Sequence, residues 1–203
     1  MLNERRNLCA IEHSSFIIQH SSLSSSLRIT AGSLRGRRLA VPARDVRPTS
    51  ERARQAYFNI VADCVRGARF LDLFAGSGAF AFEAVSRGAA SAIAVDNSRK
   101  NIAAIDAKAK EWSVPVKGVV ADAIAYRPDG EIDLVYADPP YDFDRYDRLL
   151  IAIASYAPIL VAIEHRAGTN VAPPPSAASA ATLPFIRRAE YGEVWITFFG
   201  RDR

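Results

Sequence analysis

From Arg69 onward the chain alternates short apolar runs with stretches of helical spacing, and this alternation is its strongest constraint. RFLDLFA, SAIAVDNS, VKGVVADA, IDLVYADPPYD and PILVAIEHRAG read as strands. GAFAFEAVSRG, SRKNIAAIDAKAKEW and DRYDRLLIAIASYA read as helices. Repetition of strand and helix implies a mostly parallel sheet covered by helices on both faces, the α/β class. The closing FIRRAEYGEVWITFFGR reads as a hairpin turning at Tyr191-Gly192, with Val194, Ile196 and Phe198 alternating inward. Upstream, LRITAGSLRGRRLAVP reads as short strands broken by Gly32 and Gly36. VRPTSERARQAYFNIVADCV then reads as a helix capped by Ser50 or Thr49, with Ala53, Ala56, Tyr57, Ile60 and Val61 facing the core.

Charge divides the chain unevenly. Residues 28–69 carry ten arginines against three acids, whereas residues 70–203 carry 14 basic and 17 acidic groups. Arginine presents a rigid donor fork matched to phosphate, so this early segment is a candidate nucleic-acid surface. The 203-residue length and the 49% hydrophobic and 24% charged fractions suit one globular domain with a small appendage. No apolar run approaches the ~18–20 residues of a membrane span. Two cysteines, Cys9 and Cys64, provide no disulfide framework, and a reducing cytoplasm is expected. The serine-rich residues 1–27 are expected to be a poorly ordered extension, and NVAPPPSAASAATLP a flexible connector.

The acids cluster where strands end. Gly76 and Gly78 lie between a strand and a helix, where glycine permits a tight turn and a close ligand approach. Asp96 ends the next strand twenty residues after Gly76, placed to accept from ribose hydroxyls. Together they point to a nucleoside-bearing cofactor, either a nicotinamide dinucleotide or S-adenosylmethionine. Asp72 precedes the glycine loop, where it can accept from a cofactor ammonium group. Asp122 ends the third strand, where it can accept from an adenine amine or cap the following helix. Asp72, Gly76, Gly78, Asp96, Asp122 and Asp138 all fall at the carboxyl edge, where open α/β sheets bind ligands.

Asp138-Pro139-Pro140-Tyr141 stops the fourth strand, because proline cannot donate to a ladder. An exocyclic amine on a nucleobase is a poor nucleophile, since its lone pair is delocalised into the ring. The Asp138 carboxylate and the Pro139 carbonyl are two acceptors for its hydrogens, and the prolines hold the second one still. Tyr141 offers a flat face for the base. The tetrapeptide resembles the [DNS]-P-P-[YFW] motif of Rossmann-like methyltransferases that modify amino groups. His13, His20 and His165 are scattered without metal-ligand spacing, and no metal is expected. Glu164 and His165 read as surface residues after the fifth strand, Cys64 as a small core residue, and Trp112 and Trp195 as packing residues.

RITAGSLRGRRLAVP, RPTSERARQAYFNI, LDLFAGSGAFAFEAVSRGA and LVYADPPY resemble, in order, the motifs of the RsmD family, and EYGEVWITFF resembles its closing hairpin. The most specific parts are R-x-x-x-G-x-x-R-G-R-x-L and R-P-T-x-x-x-x-R. These are bacterial methyltransferases of the N2 amine of one guanine in 16S rRNA. The resemblance implies a Rossmann-like class I fold: a mostly parallel seven-stranded sheet with an antiparallel last strand. A basic N-terminal hairpin over 28–46 would precede a methyltransferase domain over 47–203. It implies S-adenosylmethionine as donor, held by Asp72, Phe74, Gly76, Gly78, Asp96 and Asp122 and bordered by Pro48 and Thr49. Asp138, Pro139, Pro140 and Tyr141 would grip the flipped guanine, and Arg28, Arg35, Arg37, Arg38 and Arg47 would face RNA. The expected partner is 16S rRNA or a small-subunit precursor, met by a cytoplasmic monomer. The competing readings are a DNA adenine-N6 methyltransferase, a noncatalytic RNA-binding protein on the same fold, and an NAD oxidoreductase, which lacks an evident hydride-transfer constellation.

Overall fold

The computed structural model describes residues 25–41, 48–172 and 183–200. Residues 1–24 of the N-terminal extension and 173–182 of the Pro/Ala-rich connector therefore fall outside the described residues. A two-stranded antiparallel hairpin comes first, pairing β1 (Ser25–Arg28) with β2 (Arg38–Val41) in the register Arg28↔Arg38. It begins three residues earlier than the sequence indicated, because Leu27 and Leu39 face each other and bury their side chains in the core. Helix α1 (Pro48–Ile60) and the single turn α2 (Ala62–Val65) follow. Proline suits the first helical position, where its missing N–H has no intrahelical partner to lose.

The main sheet contains β3 (Arg69–Leu73), β4 (Ser91–Asp96), β5 (Val116–Val120), β6 (Leu134–Ala137), β7 (Leu160–Arg166), β8 (Phe185–Tyr191) and β9 (Val194–Gly200). Its spatial order is β5-β4-β3-β6-β7-β9-β8. The first five pair in parallel, whereas β9 runs antiparallel to both of its neighbours. Helices α3 (Ala79–Ser86), α4 (Arg99–Trp112) and α5 (Tyr146–Ala154) occupy the crossovers. The chain order reverses between β3 and β6, which lie side by side. The segments leaving these strands therefore open onto one crevice, the topological switch point of such a sheet.

Strand alternation sends side chains to two cores. One face buries Phe70 and Tyr136 against Tyr57 and Phe58 of α1 and against Phe82 of α3. The other buries Leu71, Leu73, Val135 and Val161 against Leu149 and Ile153 of α5. Each such side chain contributes roughly 1.5–3 kcal/mol on leaving water. Ala53 and Tyr57 of α1, and Val61 just past its end, are buried as the spacing indicated, while Ala56 and Ile60 are half-buried. Arg54 and Phe58 are buried as well, so the covered stripe is wider than a simple amphipathic pattern. In the closing hairpin the turn falls at Gly192-Glu193, one residue late. Because β9 lies between β7 and β8, Thr197 and Phe199 are buried along with Val194, Ile196 and Phe198. Glu164 and His165 also depart from the sequence reading: both lie inside β7 and are buried, because β9 extends the pairing past them.

Candidate active site

The glycine loop begins with strain. Phe74, directly after β3, has φ +63°, a region that costs a bulky residue on the order of 1–3 kcal/mol. Its ring meets Phe143 edge-on at 5.4 Å, and Phe143 meets Tyr146 at 5.1 Å. Phe74 thus ties the loop after β3 to the segment after β6. The next residues lean toward β4: the Ala75 N–H donates to the Val95 carbonyl at 2.9 Å, and the Gly76 N–H to Asp96 Oδ2 at 2.8 Å.

The two glycines serve different needs. Gly78 has φ +75° and enters α3, and a Cβ there would stand 2.9 Å from Ile105 Cγ1 of α4. It is required by packing. Gly76 has φ +54°, but a Cβ would meet nothing within 4 Å. Space is open there for a ligand to lie against the backbone.

The carboxylates surround this loop. Asp72 is buried beneath it, and its Oδ2 accepts from the Ala81 N–H of α3 at 3.1 Å. Burial pushes its carboxyl up to about 8, against the pull of the Ala81 hydrogen bond and with a push from Asp96. A cationic group arriving beside Asp72 restores the carboxylate and releases a proton. Asp96 Oδ1 accepts from the Ser98 N–H at 2.8 Å and from Asn101 Nδ2 at 3.2 Å. Asp122 Oδ1 accepts from the Ile124 and Ala125 N–H groups at 2.9 and 3.0 Å, closing a turn rather than capping a helix, since no helix stands between β5 and β6. Open backbone at Gly76 between half-exposed Asp96 and buried Asp72 fits a ligand with a ribose at one end and a cation at the other.

The Asp-Pro-Pro-Tyr segment lies beside this loop, since β3 and β6 pair directly with Leu73 opposite Ala137. Asp138 is exposed and Pro139 buried, while Tyr141 is 58% exposed. The Phe143 N–H returns to the Pro140 carbonyl at 2.9 Å, closing a tight turn that fixes the motif's exit. An exposed acid therefore stands on a stiff mount where β6 ends, with an exposed aromatic residue three positions on.

The arginines lie apart from this edge. Glu83 in α3 is fully buried and accepts from the Thr30 N–H at 2.9 Å, the Thr30 hydroxyl at 2.6 Å and the Ala31 N–H at 3.1 Å. The basic hairpin is thereby mounted on the half of α3 away from the glycine loop. Arg28, Arg35, Arg37 and Arg38 are all exposed on it. Arg37 lies over the Trp112 ring at 5.3 Å, and Arg38 Nη1 donates to Ser26 Oγ at 2.8 Å. Arg28 and Arg35 line a pocket of about 250 Å³ with Thr30, Gly36 and Gln55. Arg47 lies outside the described residues, as do the side chains of Pro48 and Thr49, although their backbone opens α1.

Sequence reasoning overlooked two groups. Tyr136 is buried and its hydroxyl donates to Glu164. Arg54 is 1% exposed, and its Nη2 donates to the Arg28 carbonyl at 2.9 Å. The available signals were a tyrosine two residues before Asp138, hence on its face, and the terminal arginine of the R-P-T-x-x-x-x-R motif. Among the described residues no cluster of side chains is assembled to hold a metal, and no helix is long and apolar enough to cross a membrane.

Comparison with known proteins places the chain. The family model described as conserved hypothetical protein 95 matches residues 27–200. YlbH of Bacillus subtilis, provisionally named an rRNA methyltransferase, is 34% identical over 64% of this chain and 75% of its own length. Ribosomal RNA small subunit methyltransferase D of Escherichia coli is 36% identical over 58% of this chain, and the match spans 62% of that protein. The solved structure of yhhF from Escherichia coli, provisionally named a methyltransferase, superposes with a TM-score of 0.74 at 26% identity. That superposition covers 88% of this chain and 99% of the other. With the switch-point crevice, the glycine loop and the Asp-Pro-Pro-Tyr turn in their expected places, the chain belongs to the RsmD family of rRNA methyltransferases.

Proposed function

We propose that the protein methylates the exocyclic N2 amine of a guanine in 16S rRNA, with S-adenosylmethionine as donor. The observation that carries the reading is the placement of Asp138-Pro139-Pro140-Tyr141 next to the glycine loop, on the paired strands β3 and β6. When bound, S-adenosylmethionine supplies an electrophilic methyl carbon on a sulfonium. The residues to hold it are Asp72 toward its ammonium, the backbone of the loop from Gly76 to Gly78 against its amino-acid chain, Asp96 toward the ribose and Asp122 toward the adenine amine. Phe74 shapes the loop, and Pro48 and Thr49 border the same pocket.

The chain's own work is on the base. The Asp138 carboxylate and the Pro139 carbonyl accept the two amine hydrogens, which draws the nitrogen lone pair out of ring conjugation. Tyr141 stacks on the base plane, and its exposure leaves that face open to a flipped nucleotide. Because the acceptors are fixed before the base arrives, little reorganisation remains for the transition state. Asp138 is also positioned to take the proton that the amine sheds after transfer.

The hairpin arginines bind the RNA backbone, with one phosphate in the pocket between Arg28 and Arg35, while Arg37, Arg38 and Arg47 extend the contact. The protein acts as a monomer in the cytoplasm, on naked 16S rRNA or on a small-subunit precursor. Purified protein with labelled S-adenosylmethionine is expected to label 16S rRNA at a guanine, located by mass mapping, and to leave duplex DNA unlabelled. Labelling of adenine in DNA would overturn the reading in favour of an adenine-N6 enzyme, and RNA binding without any labelling would leave a noncatalytic binder. Replacing Arg28 and Arg35 together with alanine is expected to weaken RNA binding. It should also flatten the salt dependence of log K by roughly 0.7–0.9 per lost phosphate contact. An unchanged slope would place the pocket off the RNA path.

A further inference from the structure

The backbone stops joining β3 to β6 just where the glycine loop and the tetrapeptide begin. The two strands pair as far as Leu73 opposite Ala137. The next rung is long, 3.4 Å from the Asp138 N–H to the Leu73 carbonyl. Pro139 and Pro140 have no N–H with which to continue the ladder. On the other side, the Ala75 and Gly76 N–H groups turn away toward β4. Past the strand ends, side chains span the gap.

Phe143 is the ring that spans it. Its own N–H closes on the Pro140 carbonyl at 2.9 Å, so the ring is mounted on the turn that carries the tetrapeptide. It meets Phe74 edge-on at 5.4 Å and Tyr146 edge-on at 5.1 Å, with the Arg145 guanidinium 5.6 Å from its centre. Tyr146 is buried in the first turn of α5, so Phe143 rests on a fixed helix at one side and on the glycine loop at the other. Phe74 is where the loop holds its strain. Ser113 and Ala157 are the other non-glycine residues with positive φ among the described residues, and Phe74 is the bulkiest of the three. A strained conformation persists only where its surroundings over-determine it, and such positions cluster in preorganised sites. The Phe143 ring is the part of those surroundings that belongs to the tetrapeptide's turn. A separate ring pair works on the opposite face of the sheet, where Phe80 of α3 stacks on Tyr136 of β6 at 3.6 Å. That pair keeps β6 against α3 when Phe143 is changed, so only the turn is released.

We propose that Phe143 is a positioning residue for methyl transfer, fixing the tetrapeptide's acceptors at one distance from the loop that holds the donor. This rests on the guanine-N2 reading above. The role needs no contact with either substrate: Phe143 acts through Phe74 on one side and through its own turn on the other. Reacting atoms must stand about 3–3.5 Å apart and aligned, and a misplacement of about 1 Å costs roughly 100-fold in rate. Alanine at this position opens that freedom while leaving in place every group assigned to bind the cofactor or the base.

Phe143→Ala is expected to lower single-turnover methyl transfer to 16S rRNA, with S-adenosylmethionine and RNA both saturating, by about 10–100-fold. The dissociation constants of the two, read by calorimetry and filter binding, should stay within about threefold of wild type, since the loss falls on orientation. Phe143→Tyr keeps the ring and should recover most of the rate. Phe74→Leu combined with Phe143→Ala should cost no more than the worse single change, because both break one contact. In the protein without ligands, amide exchange followed by NMR should quicken in Phe143→Ala at Ala75 and Gly76 as well as at residue 143. Should the alanine variant fail to fold, Phe143→Leu, which fills the site without a ring edge, is read by the same criteria. A near-wild-type rate overturns the proposal, and so does a loss of rate that saturating ligands restore. Additive losses with Phe74→Leu, or faster exchange confined to the turn around residue 143, overturn it too. Wild-type protein that transfers no methyl group to the rRNA overturns the guanine-N2 reading and this role together, whereas an active wild type with unaffected variants overturns the role alone.

Discussion

Asp138→Ala is expected to lower single-turnover methyl transfer by about 10²–10³-fold, the effect of losing one preorganised polar group at a reacting centre. Cofactor affinity measured by calorimetry should stay near the wild-type value, because the glycine loop is held by other bonds. Gly76 is fixed by Asp96 at 2.8 Å, and the entry to α3 by Asp72 at 3.1 Å. Stability should also hold, since Asp138 is exposed and the turn beyond it is closed by the Phe143 N–H on the Pro140 carbonyl. The split between turnover and binding makes the experiment decisive, because a residue that only ended the strand would change neither. Asp138→Asn should retain more activity than alanine, because an amide oxygen still accepts one amine hydrogen, as in the asparagine form of the same tetrapeptide. Unchanged turnover in the alanine variant would remove Asp138 from the chemistry.

What the sequence revealed and what it hid divide along physical lines. The parallel sheet was legible because its central strands are buried on both faces and read as unbroken apolar runs, such as Leu134 to Ala137. The glycine loop and the Asp-Pro-Pro-Tyr turn were legible because backbone constraints select particular residue types: glycine at positive φ, proline where a ladder ends. The position of β9 was not legible. Local alternation exposes one face of a hairpin strand, whereas insertion between β7 and β8 covers both, so Thr197 and Phe199 are buried. Glu164 and His165 were misplaced for the same reason: the pairing that carries β7 through Arg166 comes from β9, remote in the chain. His165 Nε2 there lies 2.7 Å from the Thr197 hydroxyl, a partner that periodicity cannot predict. Arg54 was hidden because a charged residue on a helix reads as solvated unless its counter-ion is known, and Glu83 belongs to a different helix.

Removing that counter-ion carries the largest expected cost in stability. Glu83 is fully buried and Arg54 is 1% exposed. Burial lowers the Arg54 pKa while the Glu83 charge raises it, so the guanidinium depends on this one carboxylate more than on any other group. The pair is imperfect: Arg54 Nε stands 3.7 Å from Glu83 Oε2 and is buried with no hydrogen-bond partner. Glu83 is better satisfied, since it also accepts from Arg87 Nε at 2.9 Å and from Thr30 and Ala31 of the hairpin. The two ends of the pair should therefore respond unequally. Glu83→Ala strands a buried cation and undocks the hairpin, and is expected to cost about 3–5 kcal/mol in urea denaturation. Arg54→Met removes a buried cation while leaving Glu83 its remaining donors, and should cost markedly less. The double variant Glu83→Leu with Arg54→Met should recover most of the loss, because the fully buried cation leaves with its counter-ion and Arg87, whose side chain is 15% exposed, still reaches water. If Glu83→Ala instead costs under about 1 kcal/mol, the carboxylate is behaving as a surface ion and does not fasten the arginine hairpin to α3. If the alanine cost persists in full in the double variant, the bonds to Thr30 and Ala31 hold the two together, and the charge pair contributes nothing to the joint.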